Sequence, residues 1–214
     1  MTTILIIIAA TGLGAALGVW TRRLLAPLPY RLQGEHELAE PGSRAWLMVA
    51  SGLALGSVTA WLAYTDNWPL ALTVLPLTLA APALAAIDLD VMRLPNRILG
   101  PTALLTIAGV VIAVSWSDDW MVLAQASTGA VLSGGTFWLL NVVTRGGVGL
   151  GDVKLAALIG LATGSVSLIS VWWAIAAGTL LAVVRREAGK RPGAFAYGPY
   201  LLIGSWIAVL SSPW

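Results

Sequence analysis

Two aspartates stand at the ends of apolar runs and lie far apart along the chain. Asp88 closes an apolar run about as long as one membrane span, roughly 20 residues. It is followed by Leu89-Asp90 and then by Arg93-Leu94-Pro95-Asn96. Asp152 comes after the glycine-rich stretch Gly146-Gly147-Val148-Gly149-Leu150-Gly151 and opens another apolar run with Val153-Lys154-Leu155. Two carboxylates brought close together do not both ionise easily and tend to share one proton. The ionised partner can take a proton from water as that water attacks a carbonyl. The protonated partner polarises the carbonyl and then protonates the leaving amine. That is the chemistry these residue types offer for peptide hydrolysis.

Each acid also has a plainer reading. Aspartate is a favoured helix N-cap, stabilising by about 1 kcal/mol, which accounts for Asp152 at a helix start. Asp90 reads as a solvated residue just past a helix end. Asp88 is harder to dismiss, because the negative end of the helix dipole disfavours a carboxylate at the last turn. Ionisable groups inside spans are costly and are usually functional. Gly149 and Gly151 would let the backbone approach an extended substrate, and Pro95 would stop the helix that carries Asp88. Lys154 has three readings: it keeps Asp152 ionised, binds lipid phosphate, or snorkels to the interface.

Other chemistries lack their residues. The chain has no cysteine and one histidine, His36, so neither disulfides nor a zinc or iron site is expected. No cofactor is expected. A net charge of +2 gives no reason to expect a nucleic-acid partner. Hydrophobic residues make up 58% of the 214 and charged residues 10%, with a mean hydropathy of +0.85. Soluble domains carry about 25% charged residues. The chain is therefore read as an all-α, polytopic membrane bundle in contact with lipid.

The elements that must position the acids follow from the apolar stretches, at 3–20, 46–64, 68–88, 98–116, 120–144, 153–164, 166–184 and 199–212. In lipid, backbone satisfaction makes them helices. Eight helices place Arg22, Arg23, Arg31, Arg44, Arg93, Arg97, Arg145, Lys154, Arg185, Arg186, Lys190 and Arg191 on one side. The other side receives Asp66, Asp118 and Asp119. An excess of basic residues marks the cytoplasmic side, so the amino terminus is expected outside and both acids at the cytoplasmic face. Joining 153–184 into one helix would break this pattern, so a split at Gly164-Ser165 is expected. The sixth helix then has about 12 residues, near 18 Å, and is a partial span. Pairs of glycines four apart (Gly14 and Gly18, Gly52 and Gly56, Gly160 and Gly164) point to close helix packing. Trp20, Trp46, Trp61, Trp68, Trp116 and Trp120 are read as interfacial anchors.

The stretch from Asp88 to Asn96, followed by Gly149-Leu150-Gly151-Asp152-Val153-Lys154-Leu155, resembles the type IV prepilin peptidase family. The later Ala196-Tyr197-Gly198-Pro199-Tyr200-Leu201 is similar to that family's entry to its last helix. The similarity covers about residues 46–212. It implies a G-x-G-D aspartic membrane peptidase that cuts prepilin leaders at the cytoplasmic face of the inner membrane. Asp88 and Asp152 would be the catalytic pair, Asp90 an accessory acid, and Lys154 a supporting residue beside Pro95, Asn96, Gly149 and Gly151. The implied substrates carry a short basic leader and then a hydrophobic helix. Many members also carry a cysteine-containing zinc region and methylate the new amino terminus. Here the loop 21–45 has no cysteine, so a peptidase-only form is expected. Residues 1–45 are read as a first helix and basic loop, and 46–214 as the peptidase domain.

Two other readings remain open on the residues alone. A broader G-x-G-D protease cutting within spans fits poorly with acids at the boundary. A small transporter or channel subunit could use boundary carboxylates, but the outer halves of the spans have no ionisable group to continue a path.

Overall fold

A computed structural model describes residues 1–189 and 195–212 and contains eight α-helices and no strand among them. They are α1 (Thr2–Leu25), α2 (Trp46–Thr65), α3 (Ala71–Val91), α4 (Asn96–Ser117), α5 (Trp120–Val143), α6 (Leu150–Gly164), α7 (Leu168–Gly189) and α8 (Gly198–Leu210). Six of these, α3 with the short turn before it, are long and apolar enough to cross a membrane. The expected all-helical membrane bundle is therefore what the chain forms. The split between α6 and α7 is present as well.

Two helices are short, where one was expected. α6 has 15 residues and α8 has 13; at 1.5 Å per residue they reach about 22 and 20 Å, against a hydrocarbon core of about 30 Å. Pro199 in its first turn sets where α8 begins, because a proline is tolerated there and not further inside. α7 runs on past 184, so Arg185 and Arg186 are helical residues and do not follow the helix. Lys190 and Arg191 lie outside the described residues.

The turns explain the helix ends. Asp66, Met92 and Asp118 end α2, α3 and α4 in the left-handed region, at φ of 53°, 50° and 54°. Asp119 then caps α5, its Oδ1 accepting from the Met121 N–H at 2.9 Å. Pro95 does not stop α3, which has already ended at Val91; it is the extended residue that precedes α4.

Helices pack mainly as hairpin partners: α1 with α2, α3 with α4, α5 with α6, α7 with α8. The paired glycines are where backbones touch. Gly14 and Gly18 face the carbonyls of Ser51 and Leu47 on α2, and Gly160 faces the Gly129 carbonyl on α5. Lipid gives no hydrophobic drive between helices, so such close van der Waals approach supplies much of the association. α3 is the hub, touching α2, α4, α6 and α8. The main core gathers Leu77, Leu84, Leu99, Phe137, Leu155 and Leu201 from five helices. Trp61, read as an interfacial anchor, is instead buried at 8% exposure, in a cluster with Val58, Leu62, Val74 and Val209. Trp20, Trp116 and Trp120 are exposed.

Candidate active site

Asp88 lies in the last turn of α3, one turn before Met92, whose N–H donates to the Asp88 carbonyl at 2.8 Å. Its side chain is buried at 3% exposure. The carboxylate is met by the start of α8: the Gly198 N–H donates to Asp88 Oδ2 at 2.9 Å. A Cβ at position 198 would sit 2.9 Å from the same oxygen. Glycine there is what allows the backbone to reach the acid.

Asp152 arrives from the other side. It is not the N-cap of α6; Gly149 is, and Asp152 is the third helical residue. A carboxylate in the first turn still faces the positive end of the helix. The connection before it is shaped by Arg145 and Gly146, both left-handed at φ of 52° and 90°. Asn141 holds the loop by donating from Nδ2 to the Val148 carbonyl. Gly151 packs on Leu94, where a Cβ would come within 3.2 Å of the leucine Cβ. This glycine brings α6 against the α3–α4 turn, a packing role in addition to any approach by substrate.

The two acids line one cavity of about 270 Å³, together with Met92, Arg93, Leu94, Asn96, Gly149, Leu150, Gly151 and Lys154. Lys154 Nζ donates to Asn96 Oδ1 at 3.0 Å, tying the start of α6 to the start of α4. The expected Asp88, Asp152, Asn96, Gly149, Gly151 and Lys154 are thus gathered, and Pro95 sits beside the cavity without lining it.

Asp90 is the exception. It is not a solvated residue past the helix, nor does it line this cavity. At about 100° per residue, positions two apart on a helix point roughly 200° apart. Asp90 therefore faces away from Asp88 and into the loop between α1 and α2. There Arg31 binds it twice, Nη2 to Oδ1 at 2.6 Å and Nε to Oδ2 at 3.0 Å. Tyr30 donates to Oδ2 at 2.5 Å. Burial pushes the Tyr30 hydroxyl above its ordinary range, with the Asp90 contact adding to it, so the phenol stays protonated and remains a donor.

Gly198, Asn141 and Arg93 were not singled out from the sequence as site residues. Arg93 and Gly198 both lie in stretches that carry the family resemblance, and Gly198 also directly precedes a proline at the start of an apolar run; Asn141 carried no signal. Among the described residues no group of three or more His, Cys, Asp or Glu side chains is placed to hold a metal ion.

Fold and site define a class: a multi-pass helical membrane protein with two acids from different helices in one polar cavity at an end of its bundle. The comparisons with known proteins give the family. The type IV leader peptidase family matches residues 75–184. A prepilin leader peptidase/N-methyltransferase of Pseudomonas putida is 38% identical over 151 residues, covering 65% of this chain and 50% of the relative. Those of Stutzerimonas stutzeri and Aeromonas hydrophila are 32% and 31% identical, over 76% and 79% of this chain and 56% and 59% of theirs. No solved structure matches the chain. The chain belongs to the type IV leader peptidase family, and it spans about half the length of the relatives it matches.

Proposed function

We propose that the chain is a leader peptidase for type IV prepilin-like precursors, using Asp88 and Asp152 as an aspartate pair. The observation that carries this reading is the convergence of those two acids, from α3 and α6, on one cavity open to further polar groups. The pair shares one proton. The ionised acid takes a proton from water, whose oxygen bonds to the scissile carbonyl carbon. The other acid donates its proton to the carbonyl oxygen. As the tetrahedral intermediate collapses, the C–N bond breaks and the amine leaves with a proton returned by the pair. The Gly198 N–H holds the Asp88 carboxylate through Oδ2.

In this reading the cavity faces the cytoplasm at the inner membrane and the amino terminus lies outside. Every basic residue then falls on the cytoplasmic side, as the distribution of such charges in membrane proteins requires. The substrate keeps its basic leader in the cytoplasm while its apolar segment lies beside the bundle in lipid. Residues 46–214 act as the peptidase unit. Residues 1–45 supply one more helix and a loop, with no methyltransferase activity, since no cysteine is available for a zinc-held region.

Co-expression with a prepilin, followed by leader removal on a gel, tests the assignment. Asp88→Asn and Asp152→Asn are each expected to abolish cleavage while the protein still accumulates in membranes. The mature amino terminus, read by mass spectrometry, is expected unmethylated. Cleavage that survives either substitution, or that stops on adding a chelator, would leave the aspartate pair without its role.

A further inference from the structure

The loop 26–45 between α1 and α2 grips the end of α3 from the side opposite the cavity. Arg31 is the centre of this contact. Besides its two bonds to Asp90, it donates through Nη1 to the Leu38 carbonyl at 3.1 Å and through Nη2 to the Ala39 carbonyl at 2.8 Å. The guanidinium thus ties the loop's own turn to the helix. The pair is dry, with side-chain exposures of 1% for Arg31 and 6% for Asp90. Arg44, at the far end of the loop, donates to the Leu25 carbonyl at 3.0 Å and stands 3.4 Å from Asp90 Oδ2. It also donates to the Tyr30 hydroxyl, and its guanidinium lies 5.4 Å from the centre of the Tyr30 ring.

A second grip lies three residues further on. Arg93 bonds Glu35 at 2.6 and 3.1 Å and the Tyr30 carbonyl at 3.0 Å. Beneath both grips, Leu25 and Leu47 pack on Ala86 and Ile87, with Tyr30 against them. The loop therefore bonds two residues just after Asp88, while the helix ends that flank the loop, with Tyr30, pack on the two residues just before it. Without it, this last turn would carry two carboxylates at the negative end of a helix, where the dipole opposes both. Helix ends fray readily, and a displacement of about 1 Å in a reacting group can lower a rate about a hundredfold.

We propose that the loop 26–45 is a clamp on the last turn of α3, and that Arg31, Tyr30 and Arg44, acting through Asp90, are positioning residues that hold Asp88 in register with Asp152. This rests on the peptidase reading above. The two aspartates of the Asp88-Leu89-Asp90 sequence then divide the work: one faces the cavity, and the other anchors the turn that carries it.

The test uses the full chain in lipid nanodiscs with a purified prepilin. Asp90→Asn and Arg31→Gln are each expected to lower kcat about tenfold or more, with KM unchanged within about twofold, since neither residue lines the cavity. The double variant should be slowed by less than the product of the two single effects, because both changes break the Arg31–Asp90 contact while each also breaks bonds of its own. Arg31→Lys keeps the charge but loses the two-pronged geometry, so it should fall between wild type and Arg31→Gln. Glu37→Gln, an exposed change on the same loop, should act as wild type.

A readout independent of activity follows from burial. Trypsin should spare Arg31 and Arg44 in the wild type and cut after them in Asp90→Asn. An unchanged kcat in Asp90→Asn, a loss carried by KM, or effects that multiply in the double variant would overturn the clamp. If the most severe variants fail to accumulate, Arg31→Lys decides, and a wild-type kcat for it overturns the proposal. A wild-type chain that leaves the precursor uncut, whatever the trypsin pattern, would instead remove the peptidase reading and the positioning role with it.

Discussion

Gly198 shows how much a single hydrogen atom in place of a side chain decides at this site. Its N–H is the one hydrogen-bond donor to the buried Asp88 carboxylate among the described residues. A methyl group there would press on the oxygen that this N–H holds. Gly198→Ala is therefore expected to lower the cleavage rate by roughly ten- to a hundredfold, with normal accumulation in the membrane, measured by leader removal against a quantitative blot. A wild-type rate would mean that α8 does not set the position of the acid. Glu35 makes a different prediction. The Arg93 guanidinium, with the Leu32 N–H, holds its carboxyl below the ordinary glutamate range. A depressed folded value means that the contribution to stability is present above the ordinary value and is lost as pH falls through the folded one. The pair is partly exposed, so the effect is small. Thermal unfolding in detergent should show wild type slightly above Glu35→Gln at neutral pH, and the gap should close on acidification below the glutamate range. A gap that widened in acid would contradict the sign.

At the scale of the elements, α6 has the task of presenting Asp152, and its position depends on small residues along α5. Gly160 touches the Gly129 backbone and the Ser133 side chain, and Gly164 faces the Gln125 carbonyl. Ser133 in turn donates to the Ala156 carbonyl at 2.5 Å. A large side chain at 160 must push α5 and α6 apart, and overpacking of this kind costs about 1–3 kcal/mol. Gly160→Leu is expected to lower the unfolding temperature and the cleavage rate together. Gly135→Ala is the matched comparison, because nothing lies within 4 Å of its added methyl, and it should change neither. Equal losses from the two would mean that close approach of α5 and α6 is not what glycine at 160 supplies, since either change by itself favours the helix. The eight helices were legible from their apolar runs, because a lipid-exposed backbone has no other way to satisfy itself. Their ends were less legible. Left-handed residues such as Met92 set them locally, and neither α3 nor α7 stops where its apolar run does.

The whole molecule raises the question of orientation. All 12 lysines and arginines fall on one side of an eight-helix threading, which in the proposed topology is the cytoplasm. The chain has no cysteine, so single cysteines can be added and labelled without background. A cysteine replacing Asp118 is expected to react with an impermeant maleimide in intact cells, and one replacing Arg97 only after the membrane is opened. The reverse pattern would put the cavity on the outer face and remove the cytoplasmic assignment.

Sequence alone determined what depends on neighbours along the chain. It established helices from apolar length, the break at Gly164-Ser165 from the charge pattern, and acids at helix ends from where polar residues interrupt apolar ones. The family was legible too, in the short motifs around Asp88 and Asp152. What it left open was the direction each polar side chain takes, since that depends on elements remote in sequence. Asp88 and Asp90 are alike in type and differ by two positions. Only the packing of α6 and α8 on one side of α3, and of the loop 26–45 on the other, separates the acid in the cavity from the acid in the clamp. Trp61 was misplaced for the same reason: its position near a helix end is a local fact, while its burial against α3 and α8 is a tertiary one.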